Sequence, residues 1–260
     1  MNYLRRAILA FTVMMTLALC VGVQADSKLD ISNWKEILPD AVYTRLVEES
    51  GKKLTSYTAS ASQFNQNGKR IQAEATNVIV YAEIAQRAGQ ANAGALRKVA
   101  EDLLEAAKAK KGDECKALAA KVNEYKSLSG SKSADLDLAK ATSLAVIMDV
   151  SVKDVDRNLT QYKRLTSASF GAKGKAEEIE NAMYKLAALS VATTAHVPTA
   201  DLPKGKTAKD WLASAEEMRK HALAAAGAAK GKKLTELKKA VNDLNAACAK
   251  CHEDFRVETN

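Results

Sequence analysis

Apolar residues recur at intervals of three and four along most of this chain, and the last such stripe is the clearest. Leu234, Leu237, Val241, Leu244, Cys248, Cys251 and Phe255 follow one another in a strict three–four alternation. That spacing winds onto one face of an α-helix and forms a heptad-like seam. A shorter version runs through Cys115, Leu118, Val122 and Tyr125. In the second half the pattern predicts helices near 149–168, 175–196, 207–229 and 231–255. The third opens on Thr207-x-x-Asp210, a capping box placed just after the breakers Pro203 and Gly205. The first half shows four comparable stretches. Short connections favour antiparallel neighbours, so the expected fold class is all-α, as two tandem four-helix bundles.

The two halves are related. The segment GDECKALAAKVNEYK (112–126) aligns without gaps on GKKLTELKKAVNDLN (231–245), pairing Gly112 with Gly231 and Val122-Asn123 with Val241-Asn242. Likewise GKKLTSY (51–57) aligns on DRNLTQY (156–162), and each is followed by a phenylalanine, Phe64 and Phe170. The short segments KLDI (28–31) and DLDL (135–138) open the two units. The expected boundaries are a leader at 1–25, one bundle at 26–131 and a second at 132–260. A polar stretch, SLSGSKSAD, serves as the linker between the bundles.

Composition supports helices and little else. Only 12 glycines and 3 prolines occur in 260 residues, too few turn formers for a β-sandwich or barrel. The leader has Arg5 and Arg6, an apolar run from Ala7 to Val21, and the small-residue site Val23-Gln24-Ala25, the features of a cleaved export signal. Cys20 raises a lipoprotein alternative, which the bulky Leu19 before it disfavours. The expected compartment is a bacterial periplasm, with no stable membrane insertion after cleavage. Losing the leader's two arginines takes the net charge from +8 to +6, an excess suited to an acidic protein partner or an anionic surface, and equally to solubility alone. The lysines are scattered without interleaved aromatics, which argues against nucleic acid.

Chemistry concentrates at the end of the chain, in Cys248-Ala249-Lys250-Cys251-His252. Thiols three apart on a helix share a face, and Cys-x-x-Cys-His is the spacing for covalent attachment of a c-type haem. Two thiols add across the two vinyl groups of one porphyrin edge, and the adjacent imidazole reaches the iron. Other readings of the pair are a zinc half-site, a redox dithiol or an inert core pair. Zinc needs further ligands, and Cys115 is the only other cysteine beyond the leader. A redox dithiol wants a helix N-terminus to lower its pKa, and here the motif lies near a helix C-terminus.

The segment AACAKCHEDFR (246–256) at the end of a four-helix unit resembles the class II cytochromes c, the cytochrome c′ and c-556 type. The resemblance is firm over the last helix and loose over the rest of the second half. It implies one covalent haem c, with Cys248 and Cys251 as thioether anchors and His252 as proximal iron ligand. Carried across the repeat, Ser129, Lys132 and Ser133 stand where Cys248, Cys251 and His252 would be, so the first half is expected to be a haem-free copy. Its role is either a dimer-like partner surface or stabilisation of the second bundle.

In an up-down-up-down unit the haem would face the start of the first helix, where Met148 is the candidate sixth ligand. Within its apolar run, Met148 also suits core filling. Cys115, Met183 and Met218 are expected in the core. His196 is expected to cap a helix C-terminus, His221 to lie on an exposed edge, and Lys250 and Arg256 to lie near the haem edge as solvated surface rather than as partners of the haem. The expected function is electron transfer to a periplasmic redox protein, without enzymatic activity. The alternatives are a five-coordinate haem that binds NO or CO, and a non-haem zinc or disulfide protein. A homodimer is compatible with all of these.

Overall fold

The described chain comprises residues 33–130, 136–198 and 202–255 of a computed structural model. Its long helices are α1 (Asp40–Tyr57), α2 (Ala61–Arg87), α3 (Ala93–Lys108), α4 (Gly112–Asn123), α5 (Lys153–Lys163), α6 (Lys175–Ala195), α7 (Ala208–Lys230) and α8 (Leu234–Phe255). No strand occurs among the described residues, so the protein is all-α. No described helix is long and apolar enough to cross a membrane. The expected leader at 1–25 and the segment KLDI lie outside the described residues, as do Lys132, Ser133 and Arg256.

Packing follows the apolar stripes. On α1, Val42, Leu46, Val47 and Leu54 are buried at helical spacing. In the first half α1 packs on α2 and α4, and α3 packs on the same two helices. The α1–α4 approach is close at Gly51. A Cβ there would come within 2.5 Å of Asn123 Oδ1, and Asn123 Nδ2 donates instead to the Gly51 carbonyl at 3.2 Å. In the second half α6 packs on α7, α7 on α8, and α8 on α5.

The helix expected near 149–168 is broken up. A π-helical stretch, Ile147–Val152, leads into α5, which stops at Lys163. Thr166 then caps a separate short helix, Ser167–Gly171, through reciprocal bonds with Ser169. A Ser/Thr side chain that satisfies the first amides of a new turn ends the old helix and restarts the chain. The box predicted at Thr207 and Asp210 forms as well and opens α7.

From Ala73 to Gln86, α2 is buried on all faces, and so is most of α6 from Ile179 to Thr194. A helix buried all round lies inside a core, and these two form the middle of the molecule. Their polar residues must then find partners. Glu74 accepts from Ser50 Oγ at 2.8 Å and Asn77 Nδ2 at 3.2 Å, and pairs with Lys53 at 3.4 Å. Lys185 of α6, also buried, lines the same small polar pocket. Glu83 is fully enclosed against Arg97 and accepts from Arg87 Nε at 2.7 Å. It also accepts from the Leu136 amide at 3.2 Å, which ties the start of the second half to the first.

Burial opposes the charge on Glu74, but Lys185, Lys53 and the bonds from Ser50 and Asn77 outweigh it and hold its carboxyl below the ordinary value of 4.5. A depressed carboxyl contributes stability that is complete above its unfolded pKa and is lost as pH falls through the folded one. Thermal unfolding followed from pH 7 downward should therefore weaken progressively below about 4.5. Glu74→Gln should lower stability at neutral pH by about 3 kcal/mol, the cost of leaving a buried cation unpaired, and should flatten that acid limb. An unchanged acid limb in the variant would assign the loss to other carboxylates.

Candidate functional site

Helix α8 carries the predicted seam, and burial along it changes abruptly. Leu237, Val241 and Leu244 are fully enclosed, whereas nothing on α8 beyond Leu244 is buried. Cys248, Cys251 and Phe255 continue the same stripe but are half-exposed, and His252 is exposed. The core closes at Leu244 and opens where the motif begins.

The three motif residues share a sector of α8. At 3.6 residues per turn, Cys251 lies about 60° from Cys248 on one side and His252 about 40° on the other. Neither cysteine is in a disulfide. Among the described residues His252 makes no hydrogen bond or ion pair, so its imidazole is uncommitted. Burial, with Asp254 adding to it, raises the Cys251 thiol above its usual pKa. Among the described residues no group of three or more His, Cys, Asp or Glu side chains is arranged to hold a metal ion.

The last turn of α8 is held from outside the motif. Phe255 meets Trp211 of α7 edge-on, with ring centroids 5.2 Å apart and planes at 77°. Trp211 Nε1 donates to the Thr193 carbonyl at the end of α6, at 3.0 Å. Asp254 pairs with Lys206 at 2.9 Å. Trp211 and Lys206 thus hold the turn that follows His252, and Thr193 fixes Trp211 from behind. Sequence reasoning missed this clamp, although Trp211 standing just after the Thr207–Asp210 box was a usable signal.

Met148 lies half-buried in the Ile147–Val152 stretch. That stretch packs on α2 and α6, while α8 packs on the α5 segment that follows it. His196 occupies the C-cap position of α6. Thr142 Oγ1 donates to the Leu138 carbonyl at 2.6 Å, so it accepts from His196 Nε2 at 2.9 Å. Burial lowers the His196 pKa. His221 is half-buried rather than exposed, 3.1 Å from Glu217 Oε2. It lines a groove of about 460 Å³ between α7 and α8 together with exposed Lys250. Met183, Met218 and Cys115 are buried, as expected.

The corresponding end of the first half is built differently. Helix α4 stops at Asn123, followed by a single 3-10 turn, Tyr125–Ser127. Tyr125, opposite Leu244 in the repeat, is buried edge-on against Tyr43 at 6.0 Å, and its carbonyl accepts from Asn92. Ser129, opposite Cys248, is exposed and non-helical.

Comparison of the chain with protein-family models, with curated proteins and with solved structures returns no match.

Phe255→Ala removes half of the aromatic clamp. It should lower stability by about 1–2 kcal/mol, the scale of one aromatic pair plus a part-buried ring. The same variant should shift Trp211 emission toward that of a solvated indole. A melt and an emission spectrum superimposable on wild type would show that the contact does not hold α8.

Proposed function

We propose that this protein is an exported c-type cytochrome of the class II kind, carrying one covalent haem on α8 and passing electrons in the periplasm. The observation that carries the reading is the coincidence of the Cys-x-x-Cys-His sector with the point where the apolar seam opens. Two part-buried thiols and an uncommitted imidazole lie on one sector of α8 just past the sealed core, and those are the groups a haem needs. In this reading the fold is a tandem pair of four-helix bundles, and the first copy is haem-free.

Each residue has a definite task. Cys248 and Cys251 each form a thioether by adding S–H across a vinyl double bond, sulfur to one carbon and hydrogen to the other, so no oxidant is consumed. Burial raises the Cys251 thiol pKa, whereas a redox dithiol needs a depressed one. The lack of a further gathered ligand among the described residues counts against structural zinc. His252 supplies a ring nitrogen to the iron, and the Phe255–Trp211 contact keeps its turn helical. Once bound, the haem supplies a one-electron ferric/ferrous couple. The net +6 of the chain without its leader favours a redox partner with an acidic face. No residues are assigned to enzymatic catalysis.

Gas binding is the second reading, and the position of Met148 favours it. Its stretch packs on α2 and α6 rather than principally on α8, which would leave the sixth position free for NO or CO. The deciding experiment uses the chain matured with its haem. A redox titration should show reversible one-electron cycling, and carbon monoxide should be added to the ferrous form. Cycling with an unchanged spectrum under CO supports a six-coordinate carrier. A shifted spectrum that Met148→Leu leaves unaltered supports an open sixth site. Failure of the iron to cycle would remove the carrier assignment.

A further inference from the structure

The contacts between the halves are reciprocal. In the repeat α1 corresponds to α5 with its π-helical lead-in, and α2 corresponds to α6. The principal contacts run from α2 to α6, from α1 to α6, and from α2 to the Ile147–Val152 stretch. The first pairs an element with its own counterpart. The other two exchange under the repeat, because α1 against α6 is the image of α5 against α2. An interface in which i meets j while the counterpart of j meets the counterpart of i is isologous, the arrangement of a twofold dimer.

Single residues follow the same rule. The alignment of 51–57 on 156–162 sets Arg45 opposite Val150, and the Phe64–Phe170 offset carried along the helices sets Glu74 opposite Glu180. On one side of the interface Arg45 donates to Glu180 Oε2 at 3.0 Å and to Asn181 Oδ1 at 2.8 Å. On the other, Val150 lines the pocket that contains Glu74. Both glutamates are buried. The arginine is retained on one side only, and on the other Lys53 and Lys185 answer the carboxylate.

We infer that the first half is a built-in dimer partner of the second, docked through a pseudo-twofold face that a lone bundle would present to a second copy. The partner of the α5–α6 face is thus the α1–α2 face of the same chain. That face is already occupied, so two chains have no such surface left with which to pair. The inference rests on the duplication and not on the haem, so its test can fail without disturbing the haem assignment.

The experiment uses the full chain, with or without haem attached. Light scattering across micromolar concentrations should give the mass of one chain throughout. Arg45→Glu should lower the unfolding midpoint by several degrees, and Glu180→Arg should do the same. Combining the two in one chain should recover at least half of the loss, because the reversed pair meets again across the interface. Retained helical circular dichroism below the midpoint shows that each variant folds. A concentration-dependent dimer of the wild-type chain, or losses that simply add in the double variant, would overturn the inference.

Discussion

The functional end of this molecule depends on one constraint, the termination of core packing at Leu244. Up to that residue the seam of α8 is sealed by α5 and α7. Beyond it the helix continues for three more turns with the same spacing, but its seam residues are only partly covered. An apolar seam that runs past its packing leaves surface with a cost of about 25 cal/mol per Å², unless something covers it. The residues on that stretch are two thiols and a phenylalanine, with an imidazole on the flank. A flat apolar cofactor held by two thioethers would cover the seam and complete the core. The clamp from Trp211, Thr193 and Lys206 then has a clear purpose, since an unpacked last turn would otherwise fray.

The same constraint separates the two halves. The first half closes its equivalent end with protein side chains. Tyr125 takes the position of Leu244, fits edge-on against Tyr43, and the helix stops before the positions of the motif. At Tyr125 the described seam of the first half is already closed by protein side chains. Instead the first half supplies buried charge to the middle of the molecule. Glu74 and Glu83 are placed where a lost partner is expensive, and Glu83 also holds Leu136 at the start of the second half. Such groups add little net stability but penalise wrong docking heavily, which suits an interface that must form in one register.

Much of this was legible in the chain itself. The all-helical class followed from the three–four spacing and the scarcity of Gly and Pro, and the Thr207 box marked a helix start to the residue. The buried positions of Met183, Met218 and Cys115 followed from their place on apolar stripes. Other features were hidden because they depend on partners distant in sequence. No local signal foretold the π-helical stretch at Ile147–Val152, which packs against α2 some 70 residues earlier in the chain. His221 looked exposed by periodicity, but its neighbours on α8 half-bury it. The His196 imidazole meets Thr142 across 54 residues, a pairing no periodicity encodes. The motif was visible from spacing alone, whereas its position at the opening of the seam required the fold.

The most direct test is peptide mass spectrometry of the chain produced with a c-type haem maturation system and digested after denaturation. The account predicts a peptide spanning 248–252 that carries the mass of one haem, with no such addition on any first-half peptide. Changing both cysteines to serine should abolish it. An unmodified 248–252 peptide, recovered while a control cytochrome in the same cells is fully loaded, would contradict the account.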